Sequence, residues 1–403
     1  MHKKKLLKIF LLFIFSPFLV ILLLSKFFLK IKIVEIETRA IGHYALPIEI
    51  FLCEVKNEIF GKNNVYLAFK NDYIANKFLY SKQKKNFIVL PSFFLEPIFW
   101  FLNYKYIFSL IGKNFVSDYR HWKKNFNHKK PFQDVDIHDV LFKTPQNINF
   151  TKNEINKGNE LLRKINLNQS SEFICFHSRT PHYQAYVRKS VEFRYDLRDS
   201  RTPYYAKTWQ YFSKNNIKML VFGDENKDFL IKNVIYYNEN NLKDDFLDIF
   251  IASKCKYLVG DASGMSHVPL LFRKNVLIKN VHDIHRLYTK DNRYCPYILL
   301  KKYKSLKTGE YLHYSEVLEK GLSEKILLKD LNDLGYDIED NSDDEVLEAC
   351  KEMDNFYQSK EFPEKNKDLE NKFNQLLLNK DLKPLKHTKI SYSFLKKNYF
   401  LVV

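Results

Sequence analysis

Between residues 172 and 279 the chain alternates short apolar runs with helix-length segments, and few architectures tolerate that rhythm. Residues 172–176 (EFICF), 218–222 (KMLVF), 234–237, 257–260 (YLVG) and 275–279 read as strands, and 204–215, 244–253 and 266–272 read as the helices between them. Apolar runs without polar alternation are buried on both faces, the condition of a parallel sheet covered by helices on each side. A shorter series precedes this one: a strand at 32–37, a loop to His43, a helix at 45–55, strands at 65–69 and 87–90, then an aromatic helical stretch at 94–110. Polar residues 118–151 read as a loop-rich connection, and a helix at 153–167 opens the second series. From Leu312 the pattern turns helical and charged. A helix is predicted over 343–357, with Ser342 as its N-cap and an acidic first turn that suits the helix dipole. At 403 residues, two domains are expected.

Lys and Arg total 65 against 47 Asp and Glu, a formal net charge of +18 that attracts anionic partners. Nucleic acid is not expected among them: there is no zinc spacing, no aromatic RNA-binding strand motif and no separate basic tail. A basic surface beside an anionic membrane fits better. The five cysteines, Cys53, Cys175, Cys255, Cys295 and Cys350, are odd in number, widely spaced and free of any C-x-x-C pair. That pattern argues against a disulfide framework or a structural zinc and for a reducing compartment.

Residues 9–25 (IFLLFIFSPFLVILLLS) carry no charge, and no small-x-small cleavage site follows them. Seventeen residues lie at the short end for a spanning helix, so a membrane anchor is expected. Lysines flank both sides (Lys3, Lys4, Lys5, Lys8; Lys26, Lys30, Lys32) and Pro17 interrupts the middle. Two topologies stay open: a re-entrant dip with both lysine clusters on the cytoplasmic face, or a single span. The expected location is the inner (cytoplasmic) membrane, with the folded part on its cytoplasmic face.

Three segments can carry chemistry. The strand at 257–260 runs into Asp261-Ala-Ser263-Gly264-Met265, and a helix start there would aim free N–H groups and a hydroxyl at one spot, a setting for a diphosphate. A second strand delivers His177 and Arg179, with Arg198-Asp-Ser200 downstream; an arginine there can pair with phosphate oxygens. Arg39-Ala-Ile-Gly42-His43 leaves the first strand, with Gly42 for a tight turn and His43 as a general base for a hydroxyl. Asp134-Val-Asp136 has the spacing of a divalent-metal motif but follows a polar loop, so no metal site is expected.

These segments, in this order, resemble a family of glycosyltransferases found in bacterial surface-polysaccharide gene clusters. Arg39-Ala-Ile-Gly-His43 is similar to its R-x-I-G-H opening, Phe176-His-Ser-Arg179 to its F-H-x-R strand end and Arg198-Asp-Ser200 to its R-N-S or R-D-S segment. Residues 250–264 are similar to its most recognisable stretch, and Ile338-Glu-Asp-Asn-Ser342 and residues 390–395 to its tail elements. The H-x-R end also resembles the donor motif of O-fucosyltransferase-like enzymes.

The resemblance implies an α/β, GT-B-like fold, with two Rossmann-like domains facing a central cleft behind an N-terminal membrane-anchor helix. The expected layout is an anchor at 1–30, an acceptor-side domain at 31–150, a nucleotide-sugar domain at 151–340 and a helical extension at 341–403. It implies sugar transfer from a nucleotide-sugar donor to a lipid-linked or cell-surface glycan, without metal or other cofactor. The donor would meet His177, Asp261, Ser263, Gly264 and Met265, with Arg179 and Arg198 neutralising the diphosphate. The acceptor would meet Arg39, Gly42 and His43. The alternative is a non-catalytic, membrane-anchored protein that binds nucleotide or glycan on the same scaffold. Departures from the family, the basic and aromatic residues 180–197 and Gly223-Asp224, bear on which sugar is used.

Overall fold

The computed structural model describes residues 10, 13–14, 16–25, 30–103, 136, 138–168, 171–180, 196–201, 204–222, 231–237, 241–285, 287, 294–362 and 367–403. They fall into two compact units, Met1–Asn149 and Phe150–Val403.

In the first unit helix α1 (Ser16–Ser25) is followed by β1 (Lys30–Ile36), α2 (Ile41–Lys56), β2 (Asn64–Lys70), α3 (Lys77–Gln83), β3 (Ile88–Val89) and α4 (Ser92–Leu102). The strands are parallel in the order β1-β2-β3, with Leu67 opposite both Ile33 and Ile88. Helix α4 presents Leu95, Ile98, Phe99 and Leu102, an i, i+3, i+4, i+7 face, to Ile33, Leu67 and Phe69. Burying each such side chain contributes about 1.5–3 kcal/mol. Around α1 the apolar side chains of Phe10, Phe13, Ile14, Val20, Ile21 and Leu24 are exposed. No described helix is long and apolar enough to cross a membrane.

Helix α2 buries two carboxylates, Glu49 and Glu54, a feature the apolar period of 45–55 conceals. Each has a partner from the segment that ends the unit, as burial of a charge requires. Asn147 donates its main-chain N–H and its Nδ2 to Glu49 Oε1 at 3.0 and 3.1 Å, and His138 Nδ1 lies 2.7 Å from Glu54 Oε1. Asp136 accepts the N–H groups of Val140 and Leu141, at 3.0 and 2.7 Å, and so closes a turn. Asp134 lies outside the described residues, as do residues 104–110 of the expected aromatic helix.

The second unit runs α5 (Lys152–Lys164), β4 (Phe173–His177), α6 (Ala206–Lys214), β5 (Lys218–Phe222), β6 (Val234–Tyr236), α7 (Asp245–Lys254), β7 (Tyr257–Asp261), β8 (Asn275–Val281), β9 (Tyr297–Leu300), β10 (Lys302–Ser305), β11 (Tyr336–Glu339), α8 (Asp343–Ser359), α9 (Lys367–Leu378), β12 (Lys389–Ile390) and α10 (Tyr392–Lys397). Seven strands build one parallel sheet in the order β12-β9-β8-β7-β4-β5-β6, while β10 and β11 form an antiparallel ribbon. Thr151 and Ser342 head α5 and α8 through reciprocal bonds with Glu154 and Glu345, and Asp244 caps α7. At Gly158 an added Cβ would lie 2.4 Å from the Phe250 ring, so α5 and α7 can approach only through a residue without a side chain.

The sequence pattern placed a separate helical extension after residue 340, and here the structure differs. Helix α8 packs on α6, β8 and β9, and β12 joins β9 as an edge strand of the main sheet. Glu352 of α8 accepts the N–H groups of Tyr392 and Ser393 at 3.0 and 2.8 Å, fixing the start of α10. The tail is therefore part of the second unit.

Candidate functional site at the reversal of strand order

From β4 the sheet grows outward through β5 and β6; the chain then crosses back, and β7, β8, β9 and β12 extend it on the other side of β4. The order reverses between β4 and β7, and open α/β sheets bind ligands beyond the carboxyl ends of the two strands flanking such a reversal. Ser178-Arg179 and Ala262-Ser263-Gly264 are the residues that leave those two strands. The turns are tied directly, because the Arg179 main-chain N–H donates to Asp261 Oδ2 at 2.6 Å.

Asp261 anchors the floor of this site. Register places it beside Lys279 of β8; both side chains are fully buried and 2.7 Å apart. Lys279 Nζ lies 3.2 Å from Ser178 Oγ and 4.6 Å from the Tyr205 ring centroid. Ser200 Oγ donates to Asp261 Oδ2 at 2.7 Å, and Asn280 Nδ2 to Oδ1 at 3.1 Å. Burial alone would raise the Asp261 carboxyl, but Lys279 and these donors outweigh it and hold the group below the ordinary carboxylate value. Asn280 adopts φ 56° where β8 shifts register, a left-handed conformation that asparagine tolerates. It exchanges two 2.7 Å bonds with Asn341, so the tail element 338–342 braces this floor. Asp261 thus holds the turn together from beneath, with no exposed surface of its own.

The two arginines take different stations. Arg179 is 8 % exposed; its Nη1 donates to Asp199 Oδ1 at 2.6 Å and its Nη2 to Asp196 Oδ2 at 3.4 Å. Arg198 forks Asp196 through Nε, at 2.9 Å, and Nη2, yet its side chain remains 42 % exposed. Burial works to raise Asp196, but the Arg198 fork overrides it and holds that carboxyl well below the usual range. Lys301 Nζ donates to the Asp199 carbonyl at 2.8 Å and pairs with Asp340 at 2.8 Å. Arg179, Arg198, Lys279 and Lys301 therefore meet Asp196, Asp199, Asp261 and Asp340, and the cluster is balanced in charge.

Ser263 Oγ is screened from water and has no hydrogen-bond partner among the described residues, so its side chain would have to turn outward to meet a ligand oxygen at this turn. Gly264 and Met265 lead into a 3₁₀ turn, Met265–His267, and a four-residue helix, Val268–Leu271. The expected helix at 266–272 is thus reduced, and so is the dipole contribution at its start. The turn closes against Gly260, where a Cβ would sit 2.9 Å from Ser266 Oγ. His177 leans the other way, with Nδ1 3.3 Å from the Phe222 carbonyl of β5. Burial pushes its pKa down to about 4.

In the first unit, Arg39 and His43 meet on one carboxylate: Arg39 Nη2 lies 2.9 Å and His43 Nδ1 3.2 Å from Glu37 Oε1. Gly42 corrects the expectation of a tight loop. It is the second residue of α2, outside the left-handed region, and His43 belongs to the first helical turn. Glu37, Asp196, Lys279, Asn280 and His282 join these groups without having been singled out by their sequence pattern, while Asp199 stood only as the middle of the Arg198-Asp-Ser200 segment. A lysine and an asparagine inside the apolar run 276–281 were the one available signal, since a charge there needs a buried partner. Residues 181–195 and 223–230, where departures from the family fall, lie outside the described residues.

His282, which follows β8, is 5 % exposed, and burial with help from Lys301 pushes its pKa down to about 3. The unfolded chain takes up this proton below about pH 6.5 while the folded chain refuses it, so stability present above that pH drains away on acidification. His177 acts in the same sense. Asp199, raised to about 6 by burial, opposes them between about pH 4 and 6. His282→Gln should reduce the stability lost between pH 7 and pH 5 by about 2 kcal/mol, read from urea unfolding at each pH. An unchanged pH slope would mean that the ring protonates in the folded state.

No family model and no curated protein matches the chain. Among solved structures it is similar to a glycosyl transferase family 9 protein from Veillonella parvula, 13 % identical, with a TM-score of 0.38 over 62 % of this chain and 80 % of that one. It is also similar to E. coli ADP-heptose LPS heptosyltransferase II, 14 % identical, with a TM-score of 0.37 over 62 % and 84 %. A third is E. coli heptosyltransferase WaaC with ADP, 8 % identical, with a TM-score of 0.29 over 62 % and 86 %. Overlap at that level carries no functional weight; the chemistry has to come from the site's own atoms.

Proposed function

We propose that the chain is a glycosyltransferase that moves a sugar from a nucleotide-sugar donor to a lipid-linked or cell-surface glycan, without a bound metal. The observation that carries this reading is the place where its two most distinctive turns meet: Arg179 and Asp261 are joined at 2.6 Å where the strand order reverses. In this proposal the donor diphosphate is held by Ser263, the N–H groups of the 263–265 turn and the exposed guanidinium of Arg198. As the acceptor oxygen bonds to the anomeric carbon, the bond to the diphosphate breaks and its electron pair leaves with the nucleotide. Arg198 offsets the charge that develops there. Arg179 and Asp261 hold the scaffold, and His177 stays neutral beside it. Arg39 and His43 serve the acceptor. The apolar segment around α1 keeps the enzyme on the cytoplasmic face of the inner membrane, beside a lipid-linked acceptor.

The balance of four cations against four carboxylates favours, as the second reading, a nucleotide- or glycan-binding protein without turnover. One measurement separates the readings. In thermal-shift titrations against UDP-, GDP-, CMP- and dTDP-sugars, one nucleotide class should stabilise the protein by about 2.7 kcal/mol at a hundredfold excess over Kd. Transfer or donor hydrolysis should accompany binding, at a rate that chelator leaves unchanged. Binding without either reaction would favour the second reading, and no shift with any donor would remove both.

A further inference from the structure

The edge of the first unit's sheet nearest α1 carries a charge pattern that the proposed chemistry does not use, and its role rests on the membrane-attachment part of the reading above. We infer that this amino-terminal edge is a docking surface for anionic lipid headgroups, met by Lys30, Lys56, Lys62, Lys84 and Lys85.

Topology brings these lysines together. Strands β1, β2 and β3 are parallel, so the segments that lead into them share one edge. Lys30 is the first residue of β1, Lys56 ends α2, Lys62 lies in the loop from α2 to β2, and Lys84 and Lys85 open the 3₁₀ turn before β3. The two loops meet on the Phe51 ring, whose centroid is 5.4 Å from that of Phe60 and 6.0 Å from that of Phe87. A Cβ at Gly61 would stand 3.9 Å from Lys30 Nζ, which places the start of β1 beside the same loop. All five lysines are exposed, and so is Ile59 between them.

The charge at this edge is one-sided. Asn57 Nδ2 donates to Thr144 Oγ1 at 2.7 Å and so brings the 139–144 stretch to the end of α2. Among the described residues, the exposed carboxylates here are Glu58, 3.5 Å from Lys62, and Asp139, 2.9 Å from Lys143. Lys30, Lys56, Lys84 and Lys85 have no acidic partner among the described residues. At the opposite edge Arg39, Lys70 and Lys77 are matched in number by Glu37, Asp72 and Glu96.

Continuity with α1 names the occupant. Helix α1 packs on β1, and the chain from Ser25 to Lys30 can span at most ~18 Å. Pro17, Val20, Ile21 and Leu24 follow the i, i+3, i+4, i+7 spacing and are all exposed, so α1 turns an apolar face outward next to the lysines. An anionic bilayer satisfies both features, its acyl chains taking the apolar face and its headgroup phosphates the amines. A nucleic acid would satisfy the lysines alone and leave the helix face in water.

The test uses the full chain with phosphatidylcholine vesicles, with and without phosphatidylglycerol. The native cysteines are all buried, so a fluorophore can be directed to Ile59→Cys at this edge or to Tyr73→Cys at the opposite one. In vesicles containing phosphatidylglycerol, lipids with a nitroxide on the headgroup should quench the label of Ile59→Cys and spare that of Tyr73→Cys. In flotation assays the triple variant Lys62→Gln/Lys84→Gln/Lys85→Gln should lose about 100-fold of the preference for anionic over neutral vesicles, at about fivefold per lysine, with Tm unchanged. Equal quenching of both labels, or an unchanged preference in the triple variant, would overturn the docking surface and leave attachment through α1 standing. Flotation with neither vesicle would overturn both. Donor binding is read separately by thermal shift, so a failure of the glycosyltransferase reading would be distinguishable from a failure of this one.

Discussion

Replacing Lys279 with methionine should destabilise the second unit by about 3–5 kcal/mol, because it strands the Asp261 carboxylate where neither group touches water. At roughly 2–4 °C per kcal/mol for a unit of this size, the melting temperature should fall by about 6–20 °C. The large effect comes from the charge left behind more than from the ion pair lost. The double variant Lys279→Met/Asp261→Asn should therefore regain a good part of the deficit, since a neutral amide still offers Oδ1 to the Arg179 N–H and the Ser200 hydroxyl. Differential scanning of both variants checks this. A single variant that melts within about 2 °C of wild type would mean that solvent or a neighbouring group reaches Asp261.

The two arginines should fail in different ways. Arg198→Ala should lower transfer by about 100- to 1,000-fold, the scale expected when one donor to developing charge is removed, with a smaller fall in melting temperature than in Arg179→Ala, because Asp196 keeps Arg179 as a cationic neighbour. Arg179→Ala should instead unfold readily, losing about 3–5 kcal/mol, because Asp199 and Asp196 would stay buried with less compensation. Arg198→Lys keeps a charge but not the fork to Asp196, so an intermediate rate is expected. Steady-state rates read beside melting curves separate the cases. Activity within about threefold of wild type in Arg198→Ala would take that residue out of the chemistry.

That assignment departs from what the residues alone suggested, for a physical reason. The apolar runs that became β4, β5, β7 and β8 could be read because a strand buried on both faces has a composition of its own. Strand β9 went unread because Leu300 runs straight into Lys301 and Lys302, which look like surface residues. Both amines are in fact buried, against Asp340 and Glu345, partners some forty residues away. Arg179 misled in the same manner. An arginine at a strand end suggests an open cation, and only Asp199, twenty positions later, shows that it is already engaged. Glu37 and Gly42 were missed or misplaced for a local reason: α2 starts at Ile41, four residues earlier than its apolar period indicates. Ser342, by contrast, heads α8 as expected, because a capping box is written within four residues.

The late return of β12 to the sheet bears on how the chain is made. Its partner β9 is translated roughly 90 residues earlier, an interval of about 5–20 s at ribosomal speed. For that time Tyr-Ile-Leu-Leu is an open, sticky rim able to pair with any nascent neighbour.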